Sequence, residues 1–307
     1  RALRLLRRLG AVEERSFQPT PLGGRMARLP LHPRLGALVL AGHEAGLARE
    51  AATLAALVEE RDVLARSRAF GRASEAPEHD SDLLLRLELL EEAERAGLSR
   101  PRLESLGLDP GATHSVLRLR DALLRRLPSV ARPSRTSEED LLRLVLHGWP
   151  DRVARRRRGR PSGAVRGGGP PLGFDPGCAV RKADLVAVVE TVAGTNGPDR
   201  IRMASAVERA WLDALPGAGL QSETVRSWDA AAGRVVATQR VVFDGLVLEE
   251  DEVPAPADEE TARLLLEGAS ADLSAALSLD GPVERLRARA AFVRRAMPEL
   301  DLPPLYD

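Results

Sequence analysis

Cysteine is almost missing from this chain, with Cys178 alone among 307 residues. A single thiol excludes an intramolecular disulfide framework and any zinc site built from several thiolates, and it suits a reducing compartment, the cytoplasm. No stretch approaches about 18 consecutive apolar residues, so no helical membrane span is expected. The opening RALRLLRRLG lacks an initiating Met, and it also lacks the apolar core and cleavage site of a secretory signal. It reads as the start of a fragment. Lysine is nearly absent as well, Lys182 being the only one. The five histidines, His32, His43, His79, His114 and His147, are scattered. His43-Glu44 begins like a zincin helix, but Leu47 stands where the second ligand is needed, so the pair is expected on a helix surface.

What is present is an ordinary globular mixture, 44% hydrophobic and 29% charged, long enough for two or three compact domains. The formal net charge of zero conceals a strong imbalance along the chain. Residues 149–182 carry Arg152, Arg155, Arg156, Arg157, Arg158, Arg160, Arg166, Arg181 and Lys182 against Asp151 and Asp175. Residues 244–270 carry nine acidic residues against Arg263. Local fields of this kind, rather than the total charge, govern binding to a polyanion.

Periodicity divides the chain. Residues 1–9 space their leucines as an amphipathic helix that Gly10 ends, and a short hairpin-like stretch follows. Thr20 is a suitable N-cap with Pro21 at the first helical position. Apolar positions then recur at three and four residues through LHPRLGALVLAGHEAG, LAREAATLAALVEER, DSDLLLRLELLEEAERAG, GATHSVLRLRDALLRRL and SEEDLLRLVLHGW. Residues 66–79 read as a loop, and Ser137 with Asp140 reads as a capping box. Leucine faces of this kind pack into a bundle. After Pro150 the character changes. Residues 159–177 are rich in Gly and Pro and read as loops or strand ends. Then ADLVAVVETV, RIRMAS, ETVRSWDAAAGRVVATQRVVF and LVLEEDEV read as strands of one small barrel, with Trp211 and Trp228 expected in its core. Two helices close the chain.

Two segments carry a family signal. TPLGGRMARLPLHPRL (20–35) resembles the Leu-Thr-x-x-Gly-x-x-Met-Ala-x-x-Pro-Leu-x-Pro-x-Leu run that joins winged helix to helical bundle in DEAH-type helicases. His32, where many relatives have Asp, points to the HrpB group. WPDRVARRRRGR (149–160) resembles the Tyr-Pro-Asp-Arg-Val-Ala-Arg-Arg-Arg segment of the same group, with Trp149 in place of Tyr. The resemblance implies an α+β, mainly α-helical fold. A partial winged helix (1–30) leads to a ratchet-like helical bundle (31–148), a basic segment with an oligonucleotide-binding-like β domain (149–255) and a helical tail (256–307). GAVRGGGPPLG departs from the family by lacking any aromatic ring, so base stacking is not expected there.

The resemblance also implies what this portion does not do. It has no phosphate-cradling Gly-rich loop with its Lys, no Asp-Glu-x-His and no Gln-Arg-x-Gly-Arg. No cofactor is expected in this chain; ATP and magnesium belong to motor domains expected upstream of residue 1. The partners implied are those motor domains and single-stranded nucleic acid, RNA being the expected form. Arg152, Arg155, Arg156, Arg157, Arg158 and Arg160 are the candidate contacts, six guanidiniums in nine residues suited to phosphate. Such contacts are independent of base sequence. Two structural roles compete: a solvated helix end, and an ion pair of Arg152 with Asp151. Arg25, Arg28 and Arg34 are read first as solvating short helices, and Glu88, Glu91, Glu92 and Glu94 as a solvated face. A stand-alone adaptor or protein-interaction scaffold is the alternative function.

Overall fold

The computed structural model describes residues 2–13, 15–65, 77–128, 136–157, 159–194, 197–215, 219–270 and 281–300. The chain forms two compact units, one of Arg1–Gln221 with Val242–Leu248, the other of Ser222–Val241 with Glu249–Asp307. The fold is α+β, with helices, a closed five-stranded barrel and a separate three-stranded sheet.

In the first unit, α1 (Ala2–Arg8) ends at Gly10, whose φ of +68° an L side chain rarely adopts. Thr20 caps α2 (Pro21–Met26): its Oγ1 accepts from Gly23 N at 3.0 Å and donates to Gly10 O at 2.6 Å. A bundle follows of α3 (Pro33–Glu44), α4 (Ala48–Glu59), α5 (Asp82–Arg95), α6 (Arg100–Ser105), α7 (Pro110–Leu124) and α8 (Glu138–Gly148). The leucines that recur every three or four residues meet in one core, with Leu38, Val39, Leu54, Leu83, Leu90, Val116, Leu123 and Val145 excluded from solvent. The capping box at Ser137 and Asp140 forms as the sequence predicts. His43 does not lie on a helix surface: it is buried, with Nε2 2.9 Å from Pro128 O. The expected loop 66–79 falls largely outside the described residues.

The barrel comprises β1 (Val153–Arg157), β2 (Arg160–Arg166), β3 (Leu172–Phe174), β4 (Leu185–Val192) and β5 (Arg200–Val207), in the order β1-β2-β3-β5-β4. It closes by antiparallel pairing of β1 with β4, Ala154 opposite Val186. Pairing of β3 with β5 is parallel. Small and β-branched residues fill its narrow interior, among them Ala154, Ala164, Val186, Val188, Ile201 and Ala204. The arginine run and the Gly/Pro-rich stretch thus supply three of the five strands, where a helix end was one reading of the run and loops or strand ends were expected of the stretch. A strand needs only extended backbone and a ladder partner, and β4 and β5 provide the ladder.

A buried polar joint ties the bundle to the barrel. Ser81 caps α5 and its Oγ lies 2.5 Å from Ser205 Oγ. Asp82 accepts from Ala179 N and Ala204 N, both at 2.9 Å, and from Cys178 Sγ at 3.1 Å. Arg86 donates to both oxygens of Asp62, at 2.9 and 2.8 Å, and Arg202 Nη1 adds a third bond to Asp62 at 2.9 Å. Burial pushes the Asp82 carboxyl above its ordinary pKa, with Arg86 and the two backbone N–H groups opposing it. Burial, reinforced by Asp82, likewise pushes the Cys178 thiol up. Trp211 is buried in the core shared by bundle and barrel, on a 3-10 turn (Arg209–Ala214), and not inside the barrel.

The three-stranded sheet takes β6 (Gln221–Asp229), β7 (Arg234–Phe243) and β8 (Leu246–Val253) in that order. All three were expected in the barrel. Asp244 and Gly245, with φ of +48° and +78°, make the two-residue turn between β7 and β8. In the second unit, the acidic run 249–252 is met by arginines, Arg240 with Glu250 at 3.0 Å and Arg234 with Glu252 at 2.7 Å. Asp258 caps α9 (Glu259–Ala269), and Trp228 packs on Gly268 of that helix, where a Cβ would lie 2.2 Å from the ring. The last long helix is α10 (Pro282–Ala296).

Candidate nucleic-acid interface

The two segments that carry the family signal meet in space. Arg34, near the start of α3, is 7% exposed and donates from Nη1 to Asp151 Oδ1 at 2.6 Å and from Nη2 to Oδ2 at 2.8 Å. Its Nη1 also reaches Gly148 O at 3.1 Å. Burial pushes the Asp151 carboxyl up, but the Arg34 hydrogen bonds and charge outweigh it and leave the pKa below the ordinary carboxylate value. Asp151 is therefore held by Arg34, 117 residues away in sequence, and the charge of adjacent Arg152 acts on it as well. Arg34 is structural, as its solvating role suggested only in part; Arg25 pairs with Glu44, and Arg28 is exposed. Of the acidic helix face, Glu92 pairs with Arg102 and Glu94 with Arg49 and Arg120.

Arg155, Arg156 and Arg157 lie on β1 and not at a helix end, Arg152 stands just before that strand and Arg160 begins β2, and their surroundings differ. Arg155 donates from Nη1 to Leu248 O at 2.7 Å and to Val247 O at 3.3 Å, and from Nε to Asp184 at 3.2 Å. Arg156 donates to Ala183 O at 3.1 Å and Val180 O at 2.9 Å, with its guanidinium 3.9 Å above the Phe174 ring. Burial depresses the Arg156 pKa. Arg155 thus fastens β1 to β8, and Arg156 fastens it to the segment that leads into β4. Arg157 follows a bulge and is exposed. Arg152 is half-buried, its Nη1 3.5 Å from Val189 O. Arg158 lies outside the described residues, as does the side chain of Arg160, whose backbone pairs with Arg157.

Arg152 also lines a cavity of about 720 Å³. Its walls are the start of α1 with Arg4, the head of α3 with His32 and Arg34, the start of β1, the turn Arg166–Pro170 after β2, and Phe243-Asp244. Gly167 in that turn is required by packing: a Cβ there would lie 2.1 Å from Asp244 O. Asp244 in turn accepts from Arg8 Nη2 at 2.7 Å. His32 Nδ1 caps α3 by accepting from Arg34 N at 3.3 Å. Burial, then Arg34 and Arg152, hold the His32 imidazole below its ordinary pKa. Neither Arg4 nor Arg166 was among the candidate contacts: Arg4 belongs to a helix assigned to packing, and Arg166 counts in the basic stretch 149–182 but stands apart from the run. Only the fold brings them to Arg152. Among the described residues no His, Cys, Asp and Glu cluster could hold a metal, and no helix is long and apolar enough to cross a membrane.

No family model matches the chain. The ATP-dependent RNA helicase HrpB of Escherichia coli (strain K12) is 26% identical over 314 residues, a match covering 100% of this chain and 33% of that protein. Crystal structures of the E. coli protein, described as a DExH-box NTPase and as a DEAH/RHA helicase, superpose with TM-scores of 0.54 and 0.52 at 21% identity. Both are matched over 100% of this chain and 33% of their own. The chain thus spans about a third of the length of the relatives it matches. Sequence and fold together support the identification of the chain as a C-terminal portion of an HrpB-type helicase.

Proposed function

We propose that this chain is the nucleic-acid-guiding region of an ATP-dependent RNA helicase of the HrpB group. It holds a single strand without reading its bases, while motor domains outside the chain bind ATP and magnesium and hydrolyse the nucleotide. In this reading residues 1–30 are part of a winged helix, 31–148 the ratchet-like bundle, 149–255 the basic segment with an oligonucleotide-binding-like barrel, and 256–307 a helical tail. The protein works in the cytoplasm. The observation that carries the reading is the fate of Asp151. It is the only carboxylate in WPDRVARRRRGR, against six arginines, and Arg34 occupies both its oxygens, so the segment keeps a net positive charge.

The test is binding of a fluorescent single-stranded RNA at two salt concentrations, with single-stranded DNA in parallel. The variants are Arg152→Gln and Arg157→Gln. Arg155 and Arg156 are left intact because they bond backbone carbonyls of the fold, Leu248 O and Val180 O. Salt-steep binding weakened by either substitution is the expected result, with each lost phosphate contact flattening the logarithmic salt slope by about 0.7 for a single strand. Absence of wild-type binding at low salt sinks the proposal. A protein-interaction role then takes precedence, favoured by the exposed apolar side chains Leu266, Leu286, Phe292 and Met297 of the second unit.

A further inference from the structure

The cavity beside β1 has a specific charge arithmetic. Four guanidiniums, Arg4, Arg34, Arg152 and Arg166, stand on its wall against two carboxylates, Asp151 and Asp244, which leaves two positive charges in excess. Both carboxylates are already engaged, Asp151 by Arg34 at 2.6 Å and Asp244 at 2.7 Å by Arg8, which lies outside the lining. The wall as a whole therefore carries a net positive charge. His32 feels this wall: burial, Arg34 and Arg152 lower its pKa, and the Glu59 carboxylate opposes them. Arg166 Nε is enclosed and has no hydrogen-bond acceptor among the protein atoms, a donor whose desolvation is uncompensated. Arg4 is exposed, and no ion pair engages it among the described residues.

The wall chemistry selects the ligand class. Gly168 presents bare backbone, since nothing lies within 4 Å of where a Cβ on it would stand, and the Arg166 guanidinium borders Gly169. An oxyanion can therefore approach the turn closely. Phe243 is 1% exposed and offers no face on which a base could stack. A volume of about 720 Å³ is of the size that encloses a small ligand.

We propose that this cavity is a phosphate seat, in which Arg4, Arg152 and Arg166 hold one phosphodiester of the bound strand against the Gly167–Gly169 turn. The proposal rests on the strand-binding reading above and adds to it a discrete point at which the strand is gripped. Arg4 and Arg166 become contact residues, although neither belongs to the arginine run.

The experiment uses the 307-residue chain with Arg4→Gln and Arg166→Gln variants. Two probes are applied separately: a labelled twelve-nucleotide single-stranded RNA titrated across salt, and inorganic pyrophosphate followed through the His32 imidazole by NMR. Expected are an RNA affinity lowered about 3- to 10-fold in each variant and a salt slope smaller by about 0.7. Pyrophosphate is expected to raise the His32 pKa in the wild type and to have less effect in either variant. Wild-type affinity and slope in both variants, with His32 unmoved by pyrophosphate, overturn the seat while leaving strand binding by the rest of the surface intact. Loss of RNA binding in every form, with His32 still responding to pyrophosphate, supports the seat and refutes the strand as its occupant.

Discussion

Replacing Asp151 by Ala tests whether the Arg34–Asp151 pair is the structural hinge between the two family segments. Arg34 is 7% exposed, and the substitution leaves its guanidinium with Gly148 O as the recorded acceptor at 3.1 Å. Breaking a fully buried pair from one side costs about 3–5 kcal/mol. The Asp151 side chain keeps 26% of its exposure, so water relieves part of this and about 2–3 kcal/mol is expected. For a unit of this size that corresponds to a melting point lower by about 4–12 °C. The double variant Arg34→Met/Asp151→Leu removes both charges and should recover much of the loss. The acid limb offers a second check. The folded pKa of Asp151 lies below its ordinary value of 3.8. The pair's contribution is therefore complete above that value and disappears as pH falls through the folded pKa. Calorimetry and urea unfolding at pH 7 and in the acid limb measure both effects. A melting point within about 1 °C of wild type for Asp151→Ala, with an unchanged acid limb, would refute the reasoning.

Other outcomes follow from the same contacts. Arg156→Ala should lower stability by about 2–3 kcal/mol, because Val180 O and Ala183 O lose their donor and Phe174 its cover, whereas exposed Arg157→Ala should stay within about 0.5 kcal/mol. Equal urea midpoints for the two would contradict the assignment of Arg156 to the barrel. Asp82→Ala strips the acceptor from Ala179 N and Ala204 N and should cost about 3 kcal/mol or more in the same assay. The Cys178 thiol is buried and its pKa is pushed up by that burial, so a thiol reagent at pH 8 should modify it readily only after denaturant is added. Rapid labelling of the native chain would show that the joint between bundle and barrel opens.

Much of this molecule is written locally in its sequence. Thr20, with Pro21 after it, starts a helix because its oxygen meets a nearby N–H, and Ser137 with Asp140 closes a capping box within four residues. The leucine spacing sets the buried faces of the bundle, and two short motifs suffice to mark the family. These features depend on neighbours within a turn or two of helix. The fate of the arginine run does not. Arg155 finds its acceptor 93 residues away at Leu248 O, Arg34 its carboxylate 117 residues away, and the barrel closes only when β4 arrives beside β1. Which arginines are held by the protein and which face a ligand is therefore decided by packing, since a guanidinium is claimed by whichever acceptor the fold places within about 3 Å. For the same reason β6, β7 and β8 could be read as strands but not assigned to a sheet. The alternation of residues makes a strand, and its sheet is chosen by the edge it reaches when the chain is folded.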